Sequence, residues 1–187
     1  MNLREAILSL ATVDGDIVKV DGFLNHRVDP EVIAGVGAQI AAWLKGRQPD
    51  VLLTAEASGL PPTAAAARIL GLPYIYAKKY VGPGERYTFA REISSPTKGI
   101  EYRVEVARHV LTPTMRVGIV DDFLAGGRTA AALVDIAEEA GCTVIGSAFV
   151  IEKAAAGGRA LLTQRNVDVF AVAIIERIEN GVVVLAD

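Results

Sequence analysis

The residues best placed for chemistry lie in VGIVDDFLAGGRTAAALVDIAEEAGC, Val117 to Cys142. A buried strand there delivers two adjacent carboxylates, a glycine-rich turn follows, and a helix begins. Asp121 and Asp122 cannot serve an anion, because like charges repel; they suit neutral donors such as the vicinal hydroxyls of a ribose. Gly126 and Gly127 let the backbone turn tightly against a ligand, and Thr129 with the free N–H groups of the first helical turn can cradle a phosphate. Neither the ATP-binding string GxxxxGK[ST] nor the dinucleotide fingerprint GxGxxG occurs. A plain strand–turn–helix with a capping acid is the competing reading, and it explains one acid rather than two.

Three further stretches carry candidate groups. Glu56 to Gly59, EASG, leaves a strand in a small-residue turn whose N–H groups can form an anion nest at the same sheet edge, although taken alone an ordinary strand-to-helix turn is the better reading. Lys78 and Lys79 end the following strand, either as a solvated terminus or as positive charge for a departing anion. In KVDGFLNHRVDP, Lys19 to Pro30, Phe23 and Leu24 read as core and Asn25 as a turn residue. VIEK, Val150 to Lys153, places a lysine at a strand exit, beside a Phe149 that is either core or a stacking surface.

The elements that position these groups follow from hydrophobic period. Helices are predicted over Asn2–Thr12, Glu31–Lys45, Pro62–Leu70, Ala130–Ala140 and Gly158–Gln164. Strands are predicted over Ile17–Val20, Val51–Thr54, Leu72–Ala77, Val117–Val120, Val144–Ile151, Val167–Ile175 and Val182–Leu185. Alternating strands and helices predict an α/β parallel sheet with its ligand beyond the C-terminal strand ends. From Tyr80 to Gly99 the period lapses around Gly82, Pro83, Gly84, Pro96 and Gly99, which predicts a mobile excursion, or a hairpin with arms near Arg86–Ile93 and Glu101–Arg108.

Composition narrows the class. A chain of 187 residues, 51% hydrophobic and 22% charged, is long enough for one domain with a substantial core. Its apolar runs fall short of the roughly 18 to 20 residues that span a bilayer, and no signal-peptide pattern opens it, so neither a membrane nor export is expected. The lone Cys142 suits a reducing cytoplasm. A net charge of −3 disfavours nucleic acid as a partner. With only His26 and His109, a His/Cys zinc site is poorly supplied, and a metal is expected to be a hard cation carried on substrate phosphates.

The run of hydrophobic strand, paired acids, small-residue loop and Thr resembles the 5-phosphoribosyl-1-diphosphate (PRPP) motif of type I phosphoribosyltransferases. KVDGFLNHRVDP resembles the base-recognition hood of the bacterial xanthine phosphoribosyltransferase family, whose pattern is close to KVDxFLNHxxDP, and IEK completes that likeness. Matching order extends from the first helix to the final strands. The resemblance implies a type I fold: a central parallel sheet flanked by helices, with a small hood made mainly from residues 1–30 and 152–187, and a loop near 80–100 that closes over the site. One domain, 1–187, is implied.

For the residues, the resemblance implies that Asp121 and Asp122 hold the ribose hydroxyls and that Ala125, Gly126, Gly127, Arg128 and Thr129 hold the 5′-phosphate. Ala57, Ser58 and Gly59, with Lys78 or Lys79, would take the diphosphate. Val18, Asn25 and Lys153 would contact the purine. Two departures stand out: Val18 where the family more often has Leu, and AGGRT where ANGQA is typical, so that Arg128 either adds charge near the phosphate or points to solvent. The implied reaction is xanthine plus PRPP giving xanthosine 5′-monophosphate (XMP) and diphosphate, a purine-salvage step. Mg²⁺ would ride on the PRPP diphosphate near the two acids, without ligands supplied directly by the protein. A cytoplasmic homodimer is usual in the family. An adenine or hypoxanthine–guanine phosphoribosyltransferase is the rival enzyme. A PRPP-sensing regulator is the rival of another class, disfavoured because no segment is spare for a nucleic-acid-binding domain.

Overall fold

The computed structural model describes residues 1–80, 87–94 and 101–186. Helix α1 (Leu3–Leu10) starts at a reciprocal cap in which Asn2 accepts from the Glu5 amide and Glu5 from the Asn2 amide, and it buries Leu3, Ala6 and Ile7. It stops short of Thr12 because Thr12–Asp14 (β1) pairs antiparallel with Ile17–Lys19 (β2) around Gly15, at φ 58°. That small hairpin was not legible in the helical pattern. A single π-helical turn, Asp21–Asn25, then buries Phe23 and Leu24. Helix α2 (Pro30–Lys45) begins where Asp29 accepts from the amides of Glu31 at 3.0 Å and Val32 at 3.1 Å.

The remaining strands are β3 (Val51–Ala55), β4 (Tyr74–Tyr80), β5 (Thr88–Ser94), β6 (Glu101–Ala107), β7 (Arg116–Leu124), β8 (Thr143–Lys153), β9 (Val169–Glu179) and β10 (Val182–Leu185). They form one sheet in the order β10-β9-β8-β7-β3-β4-β6-β5. Its centre, β9 through β4, is parallel, as the alternating pattern predicts. Both flanks are antiparallel, because β10 folds back on β9 and the β5–β6 hairpin lays β6 against β4. The sheet is therefore mixed. Helices α3 (Leu60–Leu70), α4 (Arg128–Glu139) and α5 (Gly158–Thr163) complete the crossovers.

Both faces of β3, β7 and β8 are largely buried, and their side chains alternate between two hydrophobic clusters. Leu53, Ile119 and Phe149 pack with α4, while Leu52, Val120 and Val150 pack with α2 and the N-terminal segment. Phe149, fully buried in the first cluster, is core rather than a stacking surface. The helices α2 and α3 approach closely at Gly37, where a Cβ would lie 2.5 Å from that of Ala65. Strands β4, β7 and β8 run past their apolar cores, so Lys78, Lys79, Asp121, Asp122 and Lys153 all lie within strands. Backbone pairing, such as Asp121 opposite Phe149 and Leu124 opposite Glu152, extends them regardless of side-chain polarity.

Of the excursion expected over Tyr80–Gly99, residues 81–86 and 95–100 lie outside the described residues. The hairpin reading fits the part described: Thr88 pairs with Ala107 and Ile93 with Tyr102.

Candidate active site

The parallel register of β3 and β7, Leu53 opposite Ile119, brings the ends of both strands together, and with them the two candidate loops. Gly59 shows how closely. A Cβ at this position would lie 2.1 Å from Thr54 Oγ1 and 2.4 Å from Asp121 Oδ1, so only glycine lets the turn after β3 seat itself against the acid of β7. The Glu56–Ala57 peptide in this turn is cis. In the first turn of α3, Pro61 and Pro62 have no N–H, and the amides of Leu60 and Thr63 already donate to Ala57 and Gly59 carbonyls. The amides of Ala57, Ser58 and Gly59 are thus the donors this turn can offer an anion. Ala57 is exposed and Ser58 half-buried.

Asp121 is buried, 6% exposed, and its Oδ1 accepts from the Asp122 amide at 3.0 Å. Burial, and then the neighbouring Asp122 charge, push the Asp121 carboxyl well above the usual carboxylate range. Burial raises Asp122 as well, against the opposing pull of backbone hydrogen bonds and of Lys79. Burial thus disfavours the charged form of both acids. Lys79 supplies a favourable field to both acids, and its Nζ lies 5.5 Å from the Tyr102 ring centroid. Lys78, its neighbour on a pleated strand, instead lines a cavity of about 400 Å³ with Tyr74, Tyr76 and Glu105. Of the two lysines only Lys79 is brought to the acids.

The turn after β7 ends in an uncapped helix start. Gly127, at φ 75°, precedes α4, which has no side-chain cap, so its first amides point outward at the positive end of the helix dipole. Ala125, Gly126 and Arg128 are exposed, Gly127 is buried and Thr129 is half-buried. The Thr129 hydroxyl lies 3.2 Å from that of Tyr102 on β6. One contiguous edge therefore holds the turn 57–59, the acid pair, Lys79 and the uncapped start of α4. Residues 29–183 match the phosphoribosyl transferase domain family.

The chain belongs to the phosphoribosyltransferase family. The xanthine phosphoribosyltransferase of Chloroflexus aurantiacus is 41% identical over 180 residues, 96% of this chain and 85% of its own. That of Clostridium novyi is 36% identical over 184 residues, 97% of each chain. Among solved structures, the APRTase of Giardia lamblia matches with a TM-score of 0.78 over 95% of this chain and 99% of its own, at 20% identity. The adenine phosphoribosyltransferase of Thermoanaerobacter pseudethanolicus matches with a TM-score of 0.68 over 78% and 81%, at 26% identity. The fold is that of the type I phosphoribosyltransferases.

At the other end of this phosphoribosyltransferase site the expected base contacts are more scattered. Val18, on β2, is buried in the N-terminal cluster with Leu3 and Phe23. Asn25 is exposed at the end of the π turn. Lys153, the last residue of β8, donates to the Asp16 carbonyl in the β1–β2 turn, which ties the N-terminal hairpin to the strand end. An ammonium has three donors, so two remain for a ligand. No contact between Asn25 and Lys153 ties these positions into one cluster as Gly59 ties the loops.

Three residues at the site escaped sequence reasoning. Tyr102 reaches Thr129 only through the β5–β6 register, which the sequence does not specify. Thr54, whose buried Oγ1 has no hydrogen-bond partner, read as plain strand. Glu152, 3% exposed, read as part of a polar strand exit, yet it is buried against Arg159.

Proposed function

We propose that this protein transfers the 5-phosphoribosyl group of PRPP to xanthine, giving XMP and diphosphate. The observation that carries the proposal is the seat of Gly59 against Asp121, which sets the turn after β3 directly beside the acid pair, as a ribose bearing phosphates at both ends requires. The base is argued from Lys153 and from curated relatives named xanthine phosphoribosyltransferase at 34–41% identity over nearly the whole chain.

In this reading the outward amides of 126–129 and the Thr129 hydroxyl bind the 5′-phosphate, with Tyr102 orienting Thr129. Asp121 and Asp122 accept from the ribose hydroxyls, donors that relieve the penalty of burying their charge. Amides of 57–59 and Lys79 stabilise the diphosphate as the bond to C1′ breaks and positive charge develops on the ribosyl ring. Xanthine N9 forms the new bond from the opposite side as the base gives up its imidazole proton to solvent, or reacts already as its anion, with no covalent enzyme intermediate needed. Lys153 donates to a purine oxo group, and an adenine amino group in its place would set donor against donor.

The buried carboxylates also suit Mg²⁺, a hard cation that prefers oxygen ligands. Among the described residues no cluster of three or more His, Cys, Asp or Glu could hold a metal alone, so Asp121 and Asp122 would meet an ion that arrives on the diphosphate. When bound, it offsets the charge of the leaving diphosphate.

We read 1–187 as one domain, since a single hydrophobic cluster joins Leu3, Val18 and Phe23 to Leu52, Val120 and Val183. The hood is assigned to residues 1–30 and 152–187, around the Lys153–Asp16 contact. Among the described residues no helix is long and apolar enough to cross a membrane. A cytoplasmic homodimer is proposed from the family resemblance. The test is turnover with PRPP and, separately, xanthine, guanine, hypoxanthine and adenine. Xanthine is expected to give the highest kcat/KM; a preference for adenine overturns the base assignment, and no turnover with any base overturns the enzyme reading.

A further inference from the structure

Helix α5 is six residues long, too short to hold its own position in water. Yet it backs the loop after β7: the Gly158 amide donates to the Ala125 carbonyl at 2.9 Å, and a Cβ on Gly158 would lie 2.3 Å from that oxygen and 2.9 Å from the Gly127 amide nitrogen. Something must fix this helix against the loop. The next residue, Arg159, does so. Its Nε lies 2.8 Å from Glu152 Oε1 and 3.1 Å from Oε2, its Nη2 donates to Glu152 Oε2, and its Nη1 donates to the Val169 carbonyl at 2.8 Å. Glu152 in turn lies opposite Leu124, the residue before the loop, in the β7–β8 ladder. The contacts close a ring: Leu124, Ala125, Gly158, Arg159, Glu152 and back to Leu124.

We infer that Glu152 and Arg159 are positioning residues for phosphoribosyl transfer, a fork-to-carboxylate clamp that holds the 5′-phosphate loop in its binding shape. Neither touches substrate in this role. The clamp acts on the PRPP end and not on the base end, because Lys153, the neighbour of Glu152 on a pleated strand, is separately anchored to the Asp16 carbonyl. Arginine is required for its planar fork, which grips both carboxylate oxygens and the Val169 carbonyl together; lysine keeps the charge and loses that geometry.

The inference rests on assigning residues 125–129 to the 5′-phosphate, and the test separates the two. Arg159→Lys, Glu152→Gln and Thr129→Ala are assayed as full-length protein with PRPP and xanthine varied in turn, and thermal melts are recorded alongside. Arg159→Lys keeps the buried carboxylate paired and so keeps the test open if Glu152→Gln folds poorly. A displacement of the loop by about 1 Å predicts that Arg159→Lys raises KM for PRPP about tenfold or more while KM for xanthine stays within about twofold. Thr129→Ala should raise KM for PRPP as well. If Thr129→Ala does so and both clamp variants lower only the melting temperature, or raise the two Michaelis constants equally, the pair is merely structural and the inference is overturned. If Thr129→Ala leaves KM for PRPP unchanged, the loop assignment itself fails and the clamp role falls with it.

Discussion

The two ends of the proposed pocket are built in different ways. The phosphate and ribose end is made of turns that leave the parallel strands β3 and β7, where adjacent register and the glycine at 59 bring the turn against Asp121. The base end is assembled from segments far apart in the chain: the hairpin is held by the packing of Val18 in the cluster that includes Val183 and by the bond from Lys153 to the Asp16 carbonyl. One end is rigid because it belongs to the sheet. The other depends on how an N-terminal hairpin docks, so substitutions at the first should alter catalysis steeply and those at the second should alter choice of base.

The largest expected effect is at the acids. Asp121→Asn and Asp122→Asn should each lower kcat by about 10³-fold or more, with unchanged circular dichroism, because they remove charge that faces the ribose as the transition state forms. Near-normal turnover in either variant would detach the acid pair from the reaction. Next comes Gly59→Ala. Its Cβ would collide with Thr54 Oγ1 and Asp121 Oδ1, and kcat/KM for PRPP should fall by about 10²-fold, with a smaller change in the KM for xanthine. Equal losses for both substrates would mean that the turn does not serve the PRPP end.

At the base end, Lys153→Ala removes both a donor to the purine and the anchor to Asp16. A lost buried hydrogen bond of about 1–3 kcal/mol corresponds to a rise in KM for xanthine of about one to two orders of magnitude, with PRPP binding nearly intact. Parallel losses for the two substrates would erase the division between the ends.

The smallest effect is on stability, and it has an unusual sign. Burial holds the Asp121 and Asp122 carboxyls above their ordinary range, so the folded state binds those protons more tightly than the unfolded state does. The stability this confers is present at low pH and is lost as pH rises through the raised values. Asp121→Asn removes the buried charge. It should therefore raise Tm of the ligand-free protein near neutral pH by about 2–4 °C, the shift for about 1 kcal/mol in a chain of this size, and flatten its dependence on pH. A lower Tm in this variant would show that the acid is stabilising rather than poised for ligand.

Legibility in the sequence follows the same division. Asp121, Asp122, Gly127 and Thr129 are consecutive enough for local rules of strand, turn and helix start to carry them, and the structure keeps them on one edge. A shared sheet edge for Glu56–Gly59 and the acids follows from the α/β pattern, whereas the approach of Gly59 to Asp121 does not, since strand order is a property of the sheet. Lys78 and Lys79 read alike in a string, while the pleat sends only one of them to the acids. Tyr102 and the Glu152–Arg159 clamp were hidden for a related reason. Their partners lie 27 and 7 residues away, and each contact needs an antiparallel register or the placement of a short helix that no local propensity encodes. Of the β1–β2 hairpin, the arm Ile17–Lys19 is legible as a strand, whereas Thr12–Asp14 is not, because Thr12 continues a pattern that also fits the end of a helix.

The most direct test of the two-ended pocket is a crystal structure of the protein with XMP and diphosphate. The account expects the 5′-phosphate on the amides of 126–129, the ribose hydroxyls on Asp121 and Asp122, the diphosphate on 57–59, and a purine oxo group on Lys153. The 5′-phosphate on 57–59, with the base turned away from Lys153, would contradict it.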